Sequence, residues 1–335
     1  MSIYDVHGFV ISVEGPADRV FAREYGYFKA SDVPRKVDLF VKVNERHDFL
    51  PTTVWGYNKG MLIPFDENEN TLWYDEGVEL IKEYLIHFCE FLMWWPDKTW
   101  LHAGAVERNG KAYVFTGEGG VGKTSSVLNL VRAGYNYLSD DFLLINNAGV
   151  AFPFPRRVHI FDYNLEDEEI AKRALGLRRL YYIPICKVIN VGVKLSPSKY
   201  VKYAFEKLRE RTMLRIELSK LFPGCKIASP TPISKIFFLR REKIENIRVE
   251  EFSHDIKEFI RKIIFVNMYE WGDCLREYYR YVYLFGVNNW RIENKIQHDM
   301  NIFYDAFKKA EIYIMAIPEN FNLLKVDLSL LLNLE

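Results

Sequence analysis

Residues 117–124 read Gly-Glu-Gly-Gly-Val-Gly-Lys-Thr and meet every defined position of the G-x-x-x-x-G-K-[ST] phosphate loop. Gly117 and Gly122 carry no Cβ, so the backbone can turn there and approach a phosphate closely. Successive N–H groups, from Gly117, Glu118, Gly119, Gly120, Val121 and Gly122 on to Lys123, Thr124 and Ser125, are then expected to point into one concavity that suits an anion. A helix starting at this point adds the positive end of its dipole. The Lys123 ammonium is expected on the β- and γ-phosphates and the Thr124 hydroxyl on Mg²⁺. These residue types in this order imply ATP held together with Mg²⁺.

Asp140 and Asp141, after Ser139, interrupt an otherwise apolar run over residues 137–145. Two adjacent carboxylates are costly to bury unless charge compensates them, and Mg²⁺ at a neighbouring loop would do so. Side chains alternate along a strand, so one Asp is expected to face the phosphates and the other the acceptor or a supporting partner. The alternative is a strand end at which both are solvated. His102, in an apolar run, reads either as a hydrogen-bonded core residue or as a catalytic group beside the loop. Arg156 and Arg157 either steady charge on a transferring phosphoryl group or are solvated. Arg178-Arg179 and Arg240-Arg241 read as solvated charges. The aromatic groups at 278–283 and at Trp94-Trp95 read as core or interface packing rather than a base-stacking platform.

The elements that must position these residues follow from pattern and punctuation. Residues 8–13 and 38–43 are rich in β-branched and aromatic types and read as strands. Asn58-Lys59-Gly60 signals a turn, and Asp75 an N-cap for a helix that Pro96 ends. Its most apolar part, 84–95, is too short to span a bilayer and is interrupted by His87 and Glu90, so it reads as a buried helix. Next come a strand over 100–106, a tight turn at Asn109-Gly110, a strand over 111–116, the loop and a helix over 123–133 capped by Gly134. With the strand over 137–145 this makes the strand–loop–helix–strand unit in which a phosphate loop belongs. Farther on, 166–176, 202–221, 255–285 and 301–309 read as helical. Residues 235–239 read as a short buried strand, and 311–317 as a strand returning to the main sheet. One division follows: a β-rich lobe over 1–96, closed by one helix, and a second part over 97–335.

Taken together, Leu101-His102-Ala103-Gly104-Ala105-Val106, the hairpin, the loop 117–124 and Leu138-Ser139-Asp140-Asp141 resemble the catalytic core of the HPr kinase/phosphorylase family. That family shares its core fold with ATP-dependent phosphoenolpyruvate carboxykinase. Asp140 lies 23 positions after Gly117, as in the family. The resemblance covers residues 100–145 specifically and 230–239 more weakly. It implies an α/β fold with a P-loop kinase core, a small β-rich N-terminal lobe and C-terminal helices. It also implies that Lys123 binds phosphate, Thr124 binds metal and Asp140 takes the acceptor's proton. Asp141 then belongs to the metal and hydrogen-bond network, and His102 stands beside the loop. The Glu-x-Arg-Gly-x-Gly segment associated with the family's dephosphorylating activity has no equivalent after residue 145. Gly119 stands where the bacterial enzymes typically carry Ser. Both departures count against HPr as acceptor, and more strongly against phosphorylase activity.

Composition narrows the remaining classes. With 49% apolar and 27% charged residues, the chain has the make-up of a soluble globular protein. Lys+Arg and Asp+Glu balance at 45 each, which gives no general electrostatic reason to expect nucleic acid or a membrane as the main partner. The high aromatic content (24 Phe, 21 Tyr and 7 Trp) reads as a well-filled core plus some interface, which allows a homo-oligomer. The four cysteines form no C-x-x-C pair, and the N-terminus shows no signal-peptide pattern, so a reduced, cytoplasmic protein is expected. The expected reaction is in-line transfer of the γ-phosphoryl group to a serine-type hydroxyl on a protein, peptide or small molecule. The competing readings are a regulatory ATP-binding sensor without an acceptor and a carboxykinase-type lyase. The lyase lacks a recognisable second metal site and carboxylate-binding arginines.

Overall fold

The computed structural model describes residues 1–31, 36–43, 54–58, 61–66, 70–74, 79–196, 198–286, 288–319 and 321–333. The chain is mixed α/β and forms two compact units, both discontinuous in sequence. One comprises Met1–Leu101, Leu144–Gly149 and His254–Lys308; the other comprises His102–Leu143, Val150–Ser253 and Lys309–Glu335. The sequence reading divides the chain once, at residue 96, whereas here the helices of 254–308 group with the N-terminal segment.

The unit that carries the loop is built on three parallel strands. Thr231–Glu242 lies between Lys111–Thr116 and Glu311–Pro318 and runs parallel to both. Lys98–Arg108 pairs antiparallel with Lys111–Thr116 through a turn in which Asn109 (φ 55°) and Gly110 (φ 74°) are both left-handed, as the Asn-Gly signal requires. Asn136–Ser139 pairs antiparallel with Lys98–Arg108, and Arg248–Glu251 covers the far side of Glu311–Pro318. Phe115, Phe237 and Tyr313 are direct cross-strand neighbours and stack, with ring centroids 5.2 and 5.3 Å apart. Against this sheet the helix Lys123–Arg132 buries Val127, Leu128, Leu130 and Val131. Asn129, buried on that helix, donates to the carbonyls of Leu323 and Val326 and accepts from the N–H of Leu328. This one side chain ties the C-terminal segment to the helix.

The other unit holds a six-stranded sheet in the order Ser2–Val6, Phe9–Val13, Leu39–Val43, Thr71–Tyr74, Met61–Asp66, Val54–Asn58. The helices Glu79–Leu92, Ile256–Glu270, Gly272–Phe285 and Lys295–Phe307 belong to the same unit. Leu85, Ile86, Phe88, Cys89 and Phe91 are all buried, so the apolar stretch is a buried helix, as read. Lys59, Gly60 and Asp75, which carry the expected turn and N-cap, lie outside the described residues.

Two expectations are corrected. The run 137–145 is not one strand: Asn136–Ser139 and Phe142–Asn146 are separated by a bend at Asp140-Asp141. The Ser139 hydroxyl donates to the Phe142 carbonyl across that bend. The helix expected over 202–221 ends at Glu210 and is followed by the strand Leu214–Ile216 and the short helix Leu218–Leu221. The longest helix of this unit, Arg179–Leu195, went unread because Pro184 and Gly192 lie inside it and both count against a helix interior. Gly192 is there because the Phe205 ring of Lys199–Glu210 packs on it; a Cβ would sit 2.4 Å from that ring. Among the described residues no helix is long and apolar enough to cross a membrane.

Candidate phosphate-loop site

The loop 117–122 leaves the strand Lys111–Thr116 at the carboxyl end of the parallel strands, where open α/β sheets place their ligands. Its glycines follow from two physical constraints. Gly117 has φ 140°, and a Cβ there would lie 2.5 Å from the Leu239 carbonyl oxygen of the next strand. Gly122 has φ 121°, caps the helix Lys123–Arg132, and would press a Cβ onto Leu323. Val121 plugs the loop into the core, while Glu118, Gly119 and Gly120 are exposed at its tip. Lys123 is buried and donates from Nζ to the carbonyls of Gly117 (2.7 Å) and Glu118 (2.8 Å). Its charge therefore sits inside the loop. Ser125 follows in the first turn, where its hydroxyl accepts from the Asn164 side chain at 3.0 Å.

The two aspartates come off the bend together. Both line one small cavity with Ser139, Arg156, Arg157 and His159, and they lie on a bend and not within the single strand expected. A bend between two short strands does not enforce alternation. Asp140 is buried, bonds the Thr124 side chain, and accepts weakly from the His159 N–H at 3.4 Å. Its Oδ1 has no hydrogen-bond partner among the described residues. Burial and the neighbouring Asp141 carboxylate raise its pKa to about 7, against the smaller opposing effects of Thr124, the His159 N–H and Lys123. The partner of Thr124 is thus Asp140, not Asp141.

Asp141 is partly exposed and lies 3.6 Å from His102 Nδ1, beyond hydrogen-bonding distance. Burial works to raise its pKa, but His159 and His102 first, then Arg156 and Lys123, prevail and lower it to about 2. His102 is buried, meets the Phe142 ring edge-on, and accepts at its carbonyl from the Thr116 hydroxyl. Burial first, then Lys123, lowers its pKa to about 3 despite Asp141, so the ring is neutral at ordinary pH. At neutral pH the pair is therefore a carboxylate beside a neutral imidazole. All the sequence-predicted site residues, 117–125 with His102, Asp140 and Asp141, belong to the same compact unit.

Three further residues at the site were not read from the sequence. His159 holds Asp140 through its backbone from the short strand Val158–Ile160, and a backbone contact leaves no residue-type signal. Asn164 is fully buried and its side-chain amide donates to Ser125 while its Oδ1 accepts from the Phe161 N–H. Arg241, read as a solvated charge, is half-buried: its Nη1 donates to the carbonyls of Pro318 and Phe321, and its side chain approaches Gly122. With Gly120, Ser125, Tyr163, Asn322 and Leu323 it lines a cavity of 400 Å³ beside the loop. The Arg241 signal was only its place at the end of the strand, near the loop's own level. No protein-family model matches this sequence, and no curated protein matches it.

Proposed function

We propose that the chain is an ATP- and Mg²⁺-dependent kinase that transfers the γ-phosphoryl group to a serine-type hydroxyl on a protein, peptide or small molecule, in the cytoplasm. The observation that carries this reading is Asp140, a buried carboxyl with one unpartnered oxygen, set against Thr124 at the head of the loop helix. A buried carboxyl oxygen with no protein partner has room for one more donor, and an acceptor hydroxyl supplies it. A titration point near 7 suits a general base at neutral pH.

The residues divide the work as follows. The loop amides bind phosphate oxygens. The Lys123 ammonium exchanges the carbonyls of Gly117 and Glu118 for phosphate oxygens with little displacement. Asp140 takes the hydroxyl proton late in the transfer, as the acceptor oxygen becomes bonded to phosphorus and the bond to the leaving diphosphate breaks. Asp141 stays ionised, and Arg156 and Arg157 offer cations on the wall shared with both carboxylates. Mg²⁺ would be held by the Thr124 hydroxyl, beside which Asp140 lies, and by the Asp141 carboxylate, all of them hard oxygen donors. When bound, Mg²⁺ neutralises charge on the phosphates.

Incubation with γ-labelled ATP, Mg²⁺ and pooled hydroxyl metabolites and peptides tests the proposal. Label in a phosphoester supports it. Nucleotide binding without any labelled product favours the regulatory sensor instead.

A further inference from the structure

Charge is balanced over the whole chain but not along it. No carboxylate occurs between Glu169 and Glu206, a stretch that holds Lys172, Arg173, Arg178, Arg179, Lys187, Lys194, Lys199 and Lys202. Most of this stretch forms a helical hairpin, Arg179–Leu195 followed by Lys199–Glu210, closed by Phe205 on Gly192. Its inner side is fixed by the buried Cys186 and by the Tyr182 hydroxyl donating to the Thr212 carbonyl.

The outer side reverses the usual pattern of a surface helix. Tyr181, Ile185, Val188, Val191 and Leu195 recur at three- and four-residue spacing and are all at least half exposed, Val188 at 67% and Leu195 at 75%. Tyr200 (88% exposed) and Tyr203 (60%) continue the apolar surface on the second helix. Lys187 and Lys194, one heptad apart, edge the first stripe on one side, and Lys199 and Lys202 lie among the tyrosines, Lys202 4.0 Å from Glu206. An apolar stripe about 21 Å long from Tyr181 to Leu195, at 1.5 Å per residue, thus runs beside a row of cations.

We propose that this hairpin docks on an anionic lipid bilayer surface, lying in the interface with its apolar stripe down. Charge complementarity selects the occupant. A second copy of the chain would bring mostly cations to the seam, since residues 179–210 hold seven Lys and Arg against two carboxylates, Glu206 and Glu210, and this opposes self-association. An anionic headgroup layer matches the exposed Lys187, Lys194 and Lys199, because a lysine at such a boundary lays its stem along apolar surface and puts its head among the headgroups. Tyrosine prefers that same boundary.

Co-sedimentation with vesicles of phosphatidylcholine alone, or with about a third phosphatidylglycerol, tests this on the full chain. Binding to the anionic vesicles only, weakened by salt, is expected. Each cation near such a surface contributes roughly fivefold in affinity, so Lys187→Gln/Lys199→Gln should lose about 25-fold. Val188→Ser/Val191→Ser should also lose binding with an unchanged melting temperature, because both side chains already face solvent. Failure to bind anionic vesicles at low salt overturns the proposal. So does retention by polyglutamate without vesicle binding, which assigns the face to an acidic protein. A dimer dispersed by Val188→Ser/Val191→Ser in the absence of vesicle binding assigns it to a second copy and overturns the proposal equally.

Discussion

Lys123 is buried and held by two carbonyls of its own loop, so its removal takes away a charge and two hydrogen bonds within the loop. Lys123→Ala is expected to fold, to bind nucleotide at least tenfold more weakly by titration calorimetry, and to lose transfer. Asp140 and His102 make the stability of the ligand-free protein depend on pH in opposite senses. Between about pH 4 and 7 native Asp140 holds a proton that the unfolded chain has released, so its contribution falls as pH rises. His102 is neutral in the fold down to about pH 3 but charges in the unfolded chain below 6.5, so its contribution falls as pH drops. The two slopes offset each other in the parent protein. Asp140→Asn removes one of them, so its melting temperature relative to the parent should climb steadily from pH 4 to pH 7. A constant difference across that range would show that Asp140 titrates normally. At this scale the sequence revealed the loop and the carboxylates, because both depend on residue type. It could not reveal His159, which acts through its backbone, or the Arg241 bonds to Pro318 and Phe321, which depend on where two distant strands end.

Elements were legible where local signals agreed. Asn109-Gly110, Gly134 after the loop helix and the β-branched run around Phe237 each ended up where their chemistry predicts. The bend at Asp140-Asp141 was hidden because flanking apolar residues on both sides continue a strand pattern through it. Pro184 and Gly192 hid Arg179–Leu195 because tertiary contact, not propensity, decides that helix. Asn129 gives the same lesson in energetic form. It was part of an ordinary amphipathic helix in the sequence, yet in the fold it serves one acceptor and two donor roles toward the segment 323–328. Asn129→Ala strands three backbone groups at about 1–3 kcal/mol each, so a loss of at least about 3 kcal/mol is expected in urea denaturation. A loss below about 0.5 kcal/mol would mean that the C-terminal segment is held by its leucines alone.

For the molecule as a whole, composition and pattern gave the mixed α/β class. They did not give the discontinuous units, since grouping 254–308 with the N-terminal segment depends on contacts distant in sequence. A ligand that binds only the folded state stabilises it by mass action. ATP with Mg²⁺ at 100 times its dissociation constant should add about 2.7 kcal/mol, visible as a raised melting temperature that chelation reduces. The central claim is that Asp140 accepts a proton during phosphoryl transfer, and turnover of labelled ATP by the parent and by Asp140→Asn tests it most directly. Nucleotide affinity should stay within a fewfold while labelled phosphoester falls by about 10²–10⁴-fold, the range for a lost general base. Equal phosphoester formation by the two proteins, or release of label only as inorganic phosphate by both, would contradict it.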